Sequence, residues 1–227
     1  MERTVLITGA AGGLGQVVTQ HFIKHEWEVI ATALTREEHE WLASLDHCRT
    51  VECDVTNHDH VAKLKGELPP SLAAVVHLVG GIRAGKPIEE TAVEDFHWMW
   101  RLNTLSTYLV LHATIPILKR NAGAFVAIGA RTVLHPETNK ALYGAAKSAV
   151  VHLILAAAEE GRATGMRANV IVPSVLRTQA NLEWARDGEE QLWVDPAHVA
   201  EVILFLCSEE GCALTGCVVP MYGKLPG

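Results

Sequence analysis

A chain of 227 residues, 49% hydrophobic and 20% charged, carries enough apolar side chains to bury one large core, which sets disorder aside. Its formal charge is -7 with no long Lys/Arg cluster, so a nucleic-acid partner is not expected. Five cysteines, Cys48, Cys53, Cys207, Cys212 and Cys217, form no CxxC pair and fit reduced thiols better than a disulfide framework.

The N-terminal "MERTVLITG" passes from a charged pair straight into an apolar strand, with neither a signal-peptide region nor a spanning segment. A cytoplasmic protein without a membrane partner is the expectation. "TVLIT" (4–8) then runs into "TGAAGGLGQVV", Thr8 to Val18, which becomes helical through Val17, Val18, Phe22 and Ile23. At such a strand-to-helix turn, Gly9, Gly13 and Gly15 permit a tight bend, backbone approach to a pyrophosphate and close packing of helix on strand. The helix N-terminus adds free N–H groups and a favourable dipole. A ligand-free turn is the competing reading.

Further β-rich runs follow at "EVIAT" (28–32), "RTVECD" (49–54), "AAVVHLVG" (73–80), "AFVAIG" (124–129), "RANVIVP" (167–173) and "GCVVPM" (216–221). "NHDH", Asn57 to His60, reads as a polar loop, and no metal site is expected. "FHWMWRLN" packs Trp98, Met99 and Trp100 together, too many large side chains for one core face, so some should meet another helix or subunit. Leu142, Ala145, Ala146, Ala149, Val150, Leu153 and Ile154 have helical spacing. Strand and helix therefore alternate, which predicts a single Rossmann-like, doubly wound α/β domain over 1–227: about seven parallel strands with helices on both faces. Residues 174–195 follow a strand that ends at the active edge of such a sheet and are expected to form a substrate-covering loop or short helices.

"TGAAGGLG", Asp54, Asn103, "YGAAK", "VPSVLRT" and "LTG", in that order, resemble the short-chain dehydrogenase/reductase family over nearly the whole chain. The resemblance implies NAD or NADP as hydride carrier and a homodimer or homotetramer acting on a small molecule. It implies that Thr8, Gly9, Gly13, Leu14 and Gly15 hold the dinucleotide, and that Asp54 and Val55 border the adenine. Gly80 and Gly81 lie along the cofactor, Pro173 and Val175 border it, and Thr178 sits by the nicotinamide carboxamide. After the second strand, Ala33 and Leu34 stand where an acid would bond ribose hydroxyls. Thr35 and Arg36 follow and lean the reading towards NADP, unless Arg36 is only the solvated start of a helix.

Tyr143 and Lys147 stand four residues apart, on one helix face. An unperturbed phenol has a pKa of about 10, and a neighbouring ammonium is expected to lower it. Tyr143 would supply the proton in the reductive direction, Lys147 would also reach the ribose, and Asn103 matches the family asparagine that helps relay protons. The family's serine, thirteen residues before the tyrosine, is here Ala130. Losing one comparable oxyanion donor costs on the order of a hundred- to a thousandfold in rate. Three explanations stay open. Thr132 or backbone donors take the role in a carbonyl reductase or alcohol dehydrogenase; the acceptor is too electrophilic to need the donor; or the domain is a non-catalytic NAD(P)-binding regulator. "GGIRAG", "IGA", "YGAAKSAVVHL" and "VPSVLRTQAN" resemble the dihydropteridine reductase-like members of the family, which lack the serine, and imply a quinonoid dihydropterin or another activated, conjugated acceptor.

Overall fold

Each apolar run becomes a strand. The computed structural model describes residues 3–225; residues 1–2 and 226–227, the ends of the expected 1–227 domain, lie outside them. The strands are β1 (Arg3–Thr8), β2 (Trp27–Ala33), β3 (Cys48–Glu52), β4 (Leu72–His77), β5 (Ala124–Ile128), β6 (Arg167–Pro173) and β7 (Val218–Met221). They form one seven-stranded sheet in the order β3-β2-β1-β4-β5-β6-β7, and every pair is parallel. The order turns back at β1, so the crevice beyond the carboxyl ends of β1 and β4 is the place where an open α/β sheet binds ligands.

Helices connect the strands: α1 (Gly13–Lys24), α2 (Arg36–Ala43), α3 (His58–Glu67), α4 (Val93–Met99), α5 (Ser106–Asn121), α6 (Ala141–Gly161), α7 (Gln179–Leu182) and α8 (Pro196–Cys207). Alternate side chains of each buried strand enter opposite cores. Leu6, Val75, Phe125 and Val170 meet Leu64 of α3, Leu109 of α5 and Ile154 of α6 on one face. Val5, Val76, Val126 and Ile171 meet Val18 and Phe22 of α1 and Ile203 of α8 on the other. By length and composition the stretch Ala141–Thr164 is apolar enough to cross a bilayer. Here α6 lies against β6 and α5, and that packing fixes the side chains at its start.

Between α4 and α5 the helix widens into a π-helical turn over Trp100–Leu105. Side chains compete with the backbone there: Asn103 Nδ2 donates to Met99 O, Ser106 Oγ to Leu102 O, and Thr107 Oγ1 to Asn103 O. The crowded aromatic run divides as its composition requires. Met99 is buried, Trp98 packs on Gly81, and Trp100 faces outward, stacked on Phe96 at 5.4 Å. Within 174–195, α7 and a short 3-10 turn at Glu189–Leu192 are tied back by a parallel bridge between Leu176 and Val194.

Candidate active site

The glycine turn is defined by what it leaves no room for. Gly9 has φ +71, a conformation few L side chains adopt, and a Cβ on Gly15 would stand 2.0 Å from Gly9 O. A Cβ on Gly13 would stand 2.9 Å from Thr178 Cβ, so the loop after β6 closes directly onto the turn. Gly12 precedes α1 without any side-chain cap, which leaves first-turn N–H groups facing the crevice. An uncapped, twelve-residue helix at the sheet's switch point fits the pyrophosphate of a dinucleotide.

The second strand ends differently from its sequence reading. No acid follows β2 directly, yet Glu38 reaches back from α2 as half of a capping box with Thr35. Its carboxylate accepts from Leu34 N at 2.6 Å and Thr35 N at 3.3 Å, so an acid does stand at this strand end. Arg36 is 86% exposed, and its Nε donates to Glu40 at 2.6 Å. Asp54 accepts from the backbone and hydroxyl of Thr56 at 2.8 and 2.7 Å, and Val55 beside it is buried. These bonds, with Arg101 3.5 Å away, hold the Asp54 carboxyl below its ordinary range despite partial burial.

Gly80, Asn103 and Lys147 are brought together. A Cβ on Gly80 would lie 2.7 Å from both Asn103 Oδ1 and Lys147 Nζ. Asn103 clamps the next residue from both sides: Gly81 N donates to its Oδ1 at 3.1 Å, and its Nδ2 donates to Gly81 O at 2.9 Å. The buried Lys147 ammonium donates to Ile128 O at 2.9 Å, and burial lowers its pKa to about 8. It remains largely protonated at neutrality, with further N–H groups for ribose hydroxyls.

Tyr143 sits one turn before Lys147, but the expected lowering of its pKa is not seen in the chain alone. Burial, with the Glu137 carboxylate adding to it, pushes the phenol up to about 12. The physical reason is that burial penalises the charged phenolate, while the charge acting on the phenol is negative. At neutral pH Tyr143 therefore keeps its proton.

Ala130 occupies the serine position, 6% exposed and without a hydroxyl. Thr132 does not yet offer a substitute, because its Oγ1 is sealed beside Gly144 at the start of α6 and has no hydrogen-bond partner. Sequence reasoning missed several polar residues nearby. His77, fully buried at the end of β4, bonds Thr8 Oγ1 at 2.7 Å and Ser106 Oγ at 3.2 Å, linking the glycine turn to the helix that follows Asn103. Burial pushes its pKa down to about 3, so it is a neutral hydrogen-bonding spacer. Arg131 and Tyr222 were equally inconspicuous, since no motif marks either. A cavity of about 330 Å³ opens on the other side, between Arg83, Lys86 and Asp95 and the Asn139 to Leu142 approach to Tyr143.

The family described as "Enoyl-(Acyl carrier protein) reductase" matches residues 9–223. Meso-2,3-butanediol dehydrogenase of Serratia marcescens is 26% identical to this chain, over 98% of it and 94% of that protein. Among solved structures, ElxO with NADP bound is 26% identical with a TM-score of 0.91, covering 98% of both chains. A short-chain type dehydrogenase/reductase from Mycobacterium ulcerans is also 26% identical at a TM-score of 0.91, over 99% of this chain and 90% of that one. With its parallel sheet, its uncapped glycine turn and this match along almost all of its length, the chain is an oxidoreductase of the short-chain dehydrogenase/reductase family.

Proposed function

We propose that this oxidoreductase reduces an activated, conjugated acceptor in the manner of a dihydropteridine reductase, using NADPH or NADH with a lean towards NADPH. The observation that carries the reading is the buried methyl of Ala130 where a hydroxyl would polarise a simple ketone, beside Tyr143, Lys147 and Asn103, which are all present. The dinucleotide, when bound, supplies the hydride. The turn of Thr8, Gly9, Gly13, Leu14 and Gly15 offers the pyrophosphate backbone N–H groups, with Gly80, Gly81, Pro173, Val175 and Thr178 bordering the rest. Asp54 and Val55 border the adenine, and Thr35 and Arg36 the ribose.

Tyr143 donates the proton that accompanies the hydride. With a pKa of about 12 the phenol holds its proton at neutral pH and gives it up only to a stronger base, such as the acceptor becomes on taking the hydride. Lys147 holds the ribose and keeps a positive charge beneath the site. Asn103 holds the Gly80–Gly81 backbone in place and stands next to Lys147, where a water can pass protons onward.

A carbonyl reductase or alcohol dehydrogenase is the second reading, favoured by the Thr132 hydroxyl: a group without a partner loses no hydrogen bond on turning towards a substrate. A non-catalytic regulator is the least supported, because dinucleotide binding alone gives Tyr143 no task beside Lys147 and Asn103. The chain is further read as one catalytic domain, with 174–195 lying over the substrate, and as a cytoplasmic homodimer or homotetramer. Exposed Phe96, Trp100, Leu105 and Tyr108, from α4 through the π-helical turn into α5, support the association, which light scattering on a sizing column tests.

Purified protein mixed with NADPH or NADH and either a dihydropterin or a panel of ketones tests the choice, read by loss of the reduced nicotinamide. Dihydropterin turnover, reduced about a hundred- to ten-thousandfold in Tyr143→Phe, is the expected result. Turnover of ketones alone, lost in Thr132→Val, transfers the assignment to the second reading. No turnover of any acceptor overturns both.

A further inference from the structure

Five buried side-chain polar atoms have no hydrogen-bond partner among the described residues, and three belong to neighbours of the catalytic segment: Arg131 Nε, Thr132 Oγ1 and Tyr222 Oη. Buried polar groups are as a rule satisfied, so a local concentration of unsatisfied donors points to a missing partner rather than to chance. The topology places them together. β5, β6 and β7 are adjacent and parallel, so Arg131, just after β5, and Tyr222, just after β7, emerge at the same carboxyl edge. The Arg131 guanidinium stands 5.8 Å from the centre of the Tyr222 ring, and His135 meets the same ring edge-on at 5.7 Å.

The charges there do not balance locally. Glu137 is the carboxylate shared by two cations, 2.6 Å from Lys140 Nζ and 3.4 Å from Arg131 Nη1. The first contact is short and the second long, so Arg131 is poorly paired although only 22% of its side chain is exposed. A guanidinium so placed presents a planar fork of donors that matches a carboxylate better than any neutral group. Thr132, next to Arg131 in the chain, lies 3.7 Å from where a Cβ on Gly144 would stand, so the cluster borders the start of α6, where Tyr143 sits.

We propose that Arg131, assisted by the Tyr222 hydroxyl, anchors a carboxylate carried by the acceptor, so that the reducible carbon is held beside Tyr143. The proposal rests on the reductase reading and deepens it: the acceptor is an organic acid whose anionic group displaces Glu137 from Arg131 and leaves Glu137 with Lys140. Arg131 is then a binding residue, and the methyl at Ala130 beside it faces an acceptor positioned from its far end rather than at its oxygen.

Matched pairs test this directly: pyruvate against methyl pyruvate, and benzoylformate against methyl benzoylformate, titrated calorimetrically into protein saturated with NADP+. In the wild type at least one acid should bind roughly tenfold or more tighter than its ester. Arg131→Gln should erase that preference, Arg131→Lys should retain part of it, and Tyr222→Phe should weaken it by a smaller factor. Glu137→Gln should strengthen acid binding, because the competing carboxylate is gone, and this variant carries the test even if Arg131→Gln fails to fold. Equal affinity of acid and ester in both pairs, no binding of any of the four, or a preference unaltered by the Arg131 and Glu137 substitutions overturns the anchor. The same mixtures are followed with NADPH for loss of the reduced nicotinamide. An acid preference, with neither these acids nor a dihydropterin consuming NADPH or NADH, keeps the anchor and overturns the hydride-transfer reading.

Discussion

The two sides of the crevice are built on opposite principles. On the β1 side the site is made of backbone and of missing side chains: a methyl group at Gly13 or Gly15 would collide, and Gly9 has a backbone conformation few L side chains adopt. On the β5 to β7 side it is made of polar side chains, three of which keep a buried polar atom without a hydrogen-bond partner. The first arrangement serves a ligand common to a whole family, since backbone N–H groups recognise a pyrophosphate whatever the rest of the molecule carries. The second is unfinished without its ligand, and it is where one family member can differ from another.

The largest effect is expected on the backbone side. Gly15→Ala places a Cβ 2.0 Å from Gly9 O and 2.7 Å from the Ala10 carbonyl, atoms of backbone that cannot rotate away. A loss of about 4 kcal/mol or more, read by denaturant unfolding, is expected together with loss of dinucleotide binding. A stable Gly15→Ala protein that still binds NADPH would remove one half of the contrast.

Lys147 gives the next effect, and its sign is fixed by its burial. Its pKa in the folded chain is lowered to about 8, whereas in the unfolded chain it stays near the ordinary lysine value of about 10.4. Between these two the unfolded state binds more protons, so stability rises with pH through that window, by roughly 3 kcal/mol in all. Tyr143 acts in the opposite sense: its raised pKa, about 12, means its contribution is present below about pH 10 and lost as pH rises towards 12. The buried or half-buried thiols of Cys48, Cys53 and Cys207, pushed up to about 11, 11 and 12, act like Tyr143 and lower stability above about pH 9, so the lysine is read as a difference: from pH 7 to 10 the stability of wild type relative to Lys147→Met should grow. A constant difference would mean that the ammonium is better solvated than its burial implies.

Asn103→Ala is expected to cost roughly 2 kcal/mol, because it removes three hydrogen bonds that hold Gly81 N, Gly81 O and Met99 O. Thermal unfolding reads the stability, and the KM for the dinucleotide reads the release of the Gly80–Gly81 backbone. A rise in KM without loss of stability would make Asn103 a residue of the cofactor site rather than a brace of the π-helical turn.

The same contrast explains what was legible before the structure. Apolar runs such as "AFVAI" and the glycines of the turn act through local rules, strand periodicity and the space beside a backbone, so both the sheet and the first βα turn could be read from residue type and order. Tyr143, Lys147 and Asn103 were legible because a family pattern marks them. Arg131 and Tyr222 were not, being 91 positions apart and joined only by the parallel order of β5, β6 and β7. His77 was hidden for another reason: inside an apolar strand it reads as one more core position, and only its bonds to Thr8 and Ser106 reveal a polar link. The Tyr143 pKa was misjudged because helix spacing says which side chains share a face, not how deeply the phenol is buried or that the Glu137 carboxylate acts on it.

Arg36→Ala should have the smallest effect and the most informative one for the cofactor. The side chain is 86% exposed and its ion pair with Glu40 is an i,i+4 surface contact, so stability should change by no more than about 0.5 kcal/mol. If a 2′-phosphate rests here, the KM for NADPH should rise severalfold while that for NADH stays unchanged. Glu38 sharpens the reading, because its carboxylate holds the Leu34 and Thr35 amides that the phosphate would also approach. Glu38→Gln removes the like charge and should lower the KM for NADPH, opposite in direction to Arg36→Ala. Opposed shifts confined to NADPH place the phosphate between the two residues. Equal shifts for both dinucleotides would instead make Arg36 and Glu38 parts of the α2 cap, and the lean towards NADPH would lose its basis in this chain.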